Sequence, residues 1–189
     1  MKIALKEWAA VIRALERGRQ IFLLRKGGLA ETKRGFELAH PEFVFYPTWE
    51  HQQRAQLQPA YQPWFDETAP TDETSVHVTA GARAAEIIEA PPDPSAWEAV
   101  RDRHVWSDDY IRMRYDYRPD LPLRIVLLRV FRLPKAEEIP YDRRYGGCRS
   151  WVELYDDVEI VKALPVLDEG VFMRERSALL EGLGLQAKT

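Results

Sequence analysis

The spacing of hydrophobic and polar positions changes several times along the chain. Leu5, Trp8, Ala9, Ile12 and Leu15 recur at helical intervals with Gly18 as a stop, which predicts an amphipathic helix at the start. Ile21 to Leu24 form a continuous apolar run closed by Gly27-Gly28, the pattern of a short buried strand. Phe36 and Leu38, then Phe43 and Phe45, alternate and predict a strand broken at Pro41. Thr48 followed by Glu50 reads as the cap and first turn of a short helix reaching about Leu57. Residues 58–74 are rich in Pro, Thr and acidic side chains and read as a surface loop.

Further on, "SVHVT" and "ARAAEIIEA" read as two strands. A helix is predicted from Asp93 or Ser95, with Trp97, Val100 and His104 on one face, while "SDDYIRMRYDY" fits either helix or strand. "LPLRIVLLRVFRLP" carries the strongest strand signal, running to Pro134. "RSWVEL" and "VEIVKALPVL" read as the last strands, and Asp168 caps a C-terminal helix over 168–185. Several strand pairs are joined by linkers too short for a parallel crossover. The expectation is a single α+β domain over 1–189, with a mainly antiparallel, curved or barrel-like sheet and flanking helices.

Composition narrows the function classes. With 46% apolar residues, 6 Trp, 8 Tyr and 7 Phe, the chain can bury a real core. No apolar run approaches a membrane span, and Glu7 and Arg13 interrupt any signal-peptide core. The single cysteine excludes an internal disulfide and any Cys-x-x-Cys site, so a cytoplasmic protein is expected. Asparagine is absent, which fits either a thermophile or codon bias. Net charge is -3, yet residues 1–65 and 101–150 are basic while 66–100 are strongly acidic. The basic excess lies in the segments holding the two Gly-Gly pairs, consistent with an anion-facing side or with mutual attraction between segments.

Both Gly-Gly turns carry candidate chemistry. In "LLRKGG", Arg25 and Lys26 stand beside Gly27 and Gly28, and glycine lets backbone N–H groups approach an anion closely. No P-loop pattern is present. In "RYGGCRSW", Arg144 and Arg149 flank Gly146 and Gly147, with Tyr145 and Trp151 available to stack on a base. Cys148 reads as a buried small side chain, part of an anion-binding loop, or a nucleophile beside Arg149. His40, Glu42, Glu50 and His51 cluster in sequence without a metal-binding spacing, and no metal or cofactor is expected. His51 and Gln52 remain candidates for hydrogen-bond recognition. Trp64, beside Phe65, is the tryptophan expected to be most exposed, as a stacking surface or a plug at the core's edge.

The segments "ALKEWA", "FLLRKGG", "FVFYPTWEHQ", "LLRVFRLP" and "YGGCRSWVEL" together resemble an uncharacterised prokaryotic family, domain of unknown function 1802. The resemblance spans Ala4 to Leu154 and implies that these segments form one structural unit. A second similarity, at the level of fold, is to PUA-like and ASCH-like β-barrels. It rests on a hydrophobic strand, a helix near an aromatic pair and "LLRVFRLPKAEEIP"; such barrels bind RNA or modified bases, and what the likeness implies for this chain is the fold, from which function does not follow. The leading expectation is a non-catalytic module for RNA, DNA or a nucleotide, in which the two Gly-Gly turns meet in space. Two alternatives differ in class: a metal-dependent hydrolase or nuclease using His40, Glu50 and His51, or with Cys148 as nucleophile, and a scaffold or regulatory domain presenting residues 58–74.

Overall fold

A computed structural model describes residues 1–26, 31–32, 35–36, 39–70, 74–147 and 149–186. The chain opens with strand β1 (Ile3–Trp8), helix α1 (Ala9–Glu16) and strand β2 (Phe22–Arg25). Two short strands, β3 (Glu31–Thr32) and β4 (Gly35–Phe36), pair antiparallel and precede β5 (Glu42–Thr48) and helix α2 (Gln62–Glu67). Strand β6 (Ser75–Glu89) leads to a 3₁₀ segment (Pro94–Arg103) and helix α3 (Asp108–Asp116). The long β7 (Arg124–Pro140), short β8 (Trp151–Glu153) and β9 (Leu164–Pro165), and helix α4 (Glu169–Gly182) complete the fold.

The main sheet has the order β2-β7-β6-β5-β1-β8, with β9 added to β7. It is mixed: β1 and β5 run parallel, and its other neighbours pair antiparallel. The class is α+β as expected, and the sheet remains open instead of closing into a barrel. Strand alternation feeds two cores. Leu5, Phe43 and Phe45 join the larger one with α1 and Trp97. Ala4, Val44 and Tyr46 join the smaller one with Val152 and Tyr145. Gly81 is placed where β6 crosses β5 closely, since a Cβ there would come within 2.9 Å of the Phe43 carbonyl oxygen.

Several sequence expectations are corrected. The helix predicted from Leu5 begins only at Ala9, because Ile3–Trp8 pair with β5 on one side and β8 on the other. That pairing buries adjacent Ala4 and Leu5 on opposite faces, and both reach full burial. The helix expected after Thr48 is replaced by the end of β5, a turn and a 3₁₀ turn at Arg54–Gln56. His51 has φ 61, which no right-handed helix accommodates. The 58–74 segment holds a 3₁₀ turn (Pro59–Tyr61) and α2, with the Tyr61 and Trp64 rings 5.0 Å apart. Trp64 is half-buried and is covered by the Arg17 guanidinium.

The two strands expected over 75–90 are one strand with register shifts at Val78/Ala80 and Ala84/Glu86. Its partner β7 continues past Pro134, which falls in the gap between the Ala80–Arg132 and Val78–Glu137 pairs and so owes no N–H to the ladder. The expected strand over 158–167 shrinks to Leu164–Pro165. Asp168 caps α4 as expected, accepting the Val171 N–H at 2.8 Å. Arg129–Glu169, Arg176–Glu86 and Arg103–Glu175 ion pairs fasten that helix to its neighbours.

Candidate functional site

Because β1 and β5 are parallel, their carboxyl ends open at the same edge of the sheet, with Trp8 opposite Thr48. A cleft of about 610 Å³ lies there. Lys6, Glu7 and Trp8 come from β1, Arg25 from the end of β2, and Thr48, Glu50 and His51 from the end of β5. Helix α3 contributes Tyr110, Met113 and Arg114, with Trp106 and Tyr117 at its two ends. Gly147, Arg149 and Ser150 close the remaining side.

The cleft holds four cations, Lys6, Arg25, Arg114 and Arg149, against two carboxylates, Glu7 and Glu50. In a chain of net charge -3, it is a local concentration of positive charge. Lys6 is almost wholly buried, and its Nζ donates to Glu50 Oε2 and to the Gly147 carbonyl, each at 3.0 Å. Arg25 donates to Glu7 Oε2 at 2.6 Å and to the Lys6 carbonyl at 3.2 Å. Arg149 is exposed and makes no ion pair with a described residue.

An aromatic wall faces these charges. The Trp8 and Tyr110 ring centres are 5.0 Å apart, and Tyr110 stacks on Trp106 at 5.8 Å. Burial pushes the pKa of the Tyr110 hydroxyl up to about 12. Tyr117 is 54% exposed at the rim, with Arg114 over its ring.

Of the residues singled out in the sequence, Arg25, His51, Gly147 and Arg149 meet in this cleft. Lys26 lies behind it: Nζ donates to the Tyr115 carbonyl at 2.6 Å and the Arg114 carbonyl at 3.3 Å, capping the end of α3. Burial, then repulsion from Arg114, lowers the pKa of Lys26. Gln52 is buried, and its Oε1 accepts the Ala10 N–H at the start of α1. Arg144 pairs with Asp142 and covers the Tyr155 ring at 3.4 Å. Tyr145 is buried against Tyr46 and Tyr155.

The Gly146 N–H donates to the Arg143 carbonyl, and the Arg149 N–H to the Gly147 carbonyl. Those two groups are spent within the turn instead of forming an anion cradle. Gly147 takes φ 78, where a side chain would be strained. Trp151 packs edge-on against His40 and Phe43. Gly27, Gly28 and Cys148 lie outside the described residues; of the two segments, Arg25 from the first and Gly147 and Arg149 from the second line the cleft.

The histidines do not converge. His40 rests on Trp151, His51 lines the cleft, His77 borders a separate hollow beside α1, and His104 is buried between Trp97 and Trp106. Among the described residues no three His, Cys, Asp or Glu side chains are grouped to hold a metal ion. No described helix is long and apolar enough to cross a membrane.

Sequence reasoning missed Lys6, Glu7, Trp8, Trp106, Tyr110, Arg114 and Tyr117 as cleft residues. The first three were hidden by reading β1 as helix. Tyr110 and Arg114 stand at i and i+4 on one face of α3, with Tyr117 just past its end, an arrangement that the ambiguous "SDDYIRMRYDY" concealed.

In overall structure the chain is similar to ASCH from Zymomonas mobilis, with 12% sequence identity and a TM-score of 0.41. That match covers 95% of this chain and 93% of that one. A serine-to-alanine mutant of the Zymomonas mobilis ASCH protein is similar over 80% of this chain and 87% of that one, with 12% identity and a TM-score of 0.44. No curated protein matches the sequence. A family model matches residues 4–178, taking in β1, the cleft and most of α4, and the chain therefore belongs to the family of the domain of unknown function DUF1802.

Proposed function

We propose that the cleft binds a nucleic acid or a nucleotide without catalysing its turnover. The observation that carries this reading is the meeting, in one hollow, of Arg25 and Arg149 with the rings of Trp8, Tyr110 and Trp106. Guanidinium groups bind phosphate by charge-assisted hydrogen bonds. Aromatic faces take a base of any identity, since each base has a π-face. The volume, about 610 Å³, falls within the range of small-molecule sites. Carboxylates at Glu7 and Glu50 add acceptors that a base amino group satisfies.

The test is a fluorescence titration, in which Trp8 and Trp106 report occupancy, against short RNA, short DNA and mononucleotides. Binding is expected at low salt, weakening as salt rises, and Arg149→Ala is expected to reduce it by roughly tenfold. No binding to any of these at low salt, where the phosphate contribution is largest, overturns the reading.

A further inference from the structure

Resting on the nucleotide reading of the cleft, we propose that the site is built for a nucleotide ending in a phosphomonoester, free or at a chain end, and not for the interior of a strand. The charges in the cleft divide into two kinds. Arg25 is answered by Glu7 at 2.6 Å and Lys6 by Glu50 at 3.0 Å. Arg114 and Arg149 have no carboxylate partner among the described residues, and they enter the cleft from separate elements, α3 and the loop before β8.

Two unanswered guanidinium groups match one phosphomonoester, whose charge is about -1.5 to -2 at neutral pH. A strand interior offers single charges spaced along its length and needs cations that continue beyond one pocket. Near both contributing elements some arginines are already engaged, whereas Arg118 past the end of α3 and Arg143 in the loop pair with no described carboxylate. Arg112 pairs with Asp109 at 3.2 Å and Arg101 pairs with Asp108 beside α3, and Arg144 pairs with Asp142 at 3.1 Å in the loop. The hollow of about 610 Å³ accepts about one nucleotide rather than a run of stacked bases.

The experiment is calorimetric titration of the full chain with four probes. They are a nucleoside 5′-monophosphate, the same nucleoside, a six-nucleotide single strand with hydroxyl ends, and that strand carrying a 5′-phosphate. The phosphate-bearing member of at least one pair is expected to bind about tenfold or more tightly than its unphosphorylated counterpart. Arg149→Ala and Arg114→Ala are each expected to erase most of that difference. Arg149 is exposed, so its variant folds normally and keeps the test interpretable should Arg114→Ala not. Preference for the free monophosphate alone identifies a soluble nucleotide, whereas preference within the strand pair identifies a chain end. A hydroxyl-ended strand that binds as tightly as the phosphorylated one, with a salt dependence that steepens with length, overturns this proposal and leaves nucleic-acid binding standing. Failure of all four probes removes both.

Discussion

Lys6 Nζ lies 3.0 Å from the Glu50 carboxylate, and the same ammonium group holds the Gly147 carbonyl at 3.0 Å. One buried cation thus ties the end of β1 to the turn after β5 and to the loop that carries Arg149. The two partners differ in exposure: the Lys6 side chain is 6% exposed and that of Glu50 is 48%. In Glu50→Gln the amide oxygen remains an acceptor for Lys6, which also keeps its bond to Gly147. Glu50→Gln is therefore expected to cost about 1 kcal/mol. Lys6→Ala removes a buried stem and leaves the Gly147 carbonyl unpaired, for an expected loss of about 3 kcal/mol. Urea unfolding of the two variants measures the difference, and equal losses contradict this arrangement.

The sequence disclosed the parts of the fold that depend on local pattern. Asp168 as a cap and Phe22–Leu24 as a buried strand followed from their own neighbours. What depends on distant pairing was hidden. Ile3–Trp8 has the apolar spacing of a helix, and only the hydrogen bonds to β5 and β8 make it a strand. Pro134 looked like the end of β7 because its tolerance there rests on an irregularity in β6. The candidate site was half legible for the same reason. Arg25, His51, Gly147 and Arg149 announce themselves by type, whereas Lys6 and Trp8 gain their place only from the strand pairing that brings them beside Thr48 and Glu50.

His104 gives the protein an acid-sensitive core. Its ring is wedged between Trp97 and Trp106, with centroid distances of 5.7 and 5.9 Å. Burial lowers its pKa to about 4, while Asp108 pulls in the opposite direction and Arg101 reinforces the shift. The unfolded chain binds a proton below about pH 6.5 that the folded chain takes only near pH 4. The stabilising contribution is thus complete above pH 6.5 and is lost as pH falls through that window. Its size is about 3 kcal/mol. Stability measured by urea unfolding at pH 7, 5.5 and 4 is expected to fall accordingly. His104→Phe is expected to flatten that part of the profile, and an unchanged slope in this variant sinks the assignment.

Gly182 is required by contact, not by backbone conformation. It belongs to α4, where alanine is intrinsically better by about 1 kcal/mol. A Cβ there, however, would collide with Val100 Cγ1, and Val100 is fully buried. Overpacking of this kind costs about 1 to 3 kcal/mol. Gly182→Ala is expected to destabilise despite the gain in helix propensity. Combined with Val100→Ala, which clears the space, its effect should be smaller than the sum of the two single changes. A double-mutant cycle by thermal or urea unfolding reads that coupling.

Tyr117 separates binding from folding at the cleft. Its ring is 54% exposed and lies under the Arg114 guanidinium at 5.8 Å, so little core packing depends on it. Tyr117→Ala is expected to change stability by no more than about 0.5 kcal/mol. If a base stacks on this rim, the same change weakens nucleotide binding by about 1 to 3 kcal/mol, and Tyr117→Phe restores it because the stacking face is kept. Trp8→Ala, by contrast, is expected to damage both properties, since Trp8 packs against Tyr110 and the larger core. Parallel titrations and unfolding curves of the three variants decide the matter. Full binding by Tyr117→Ala would move the base away from the rim and onto the inner Trp8–Tyr110 wall.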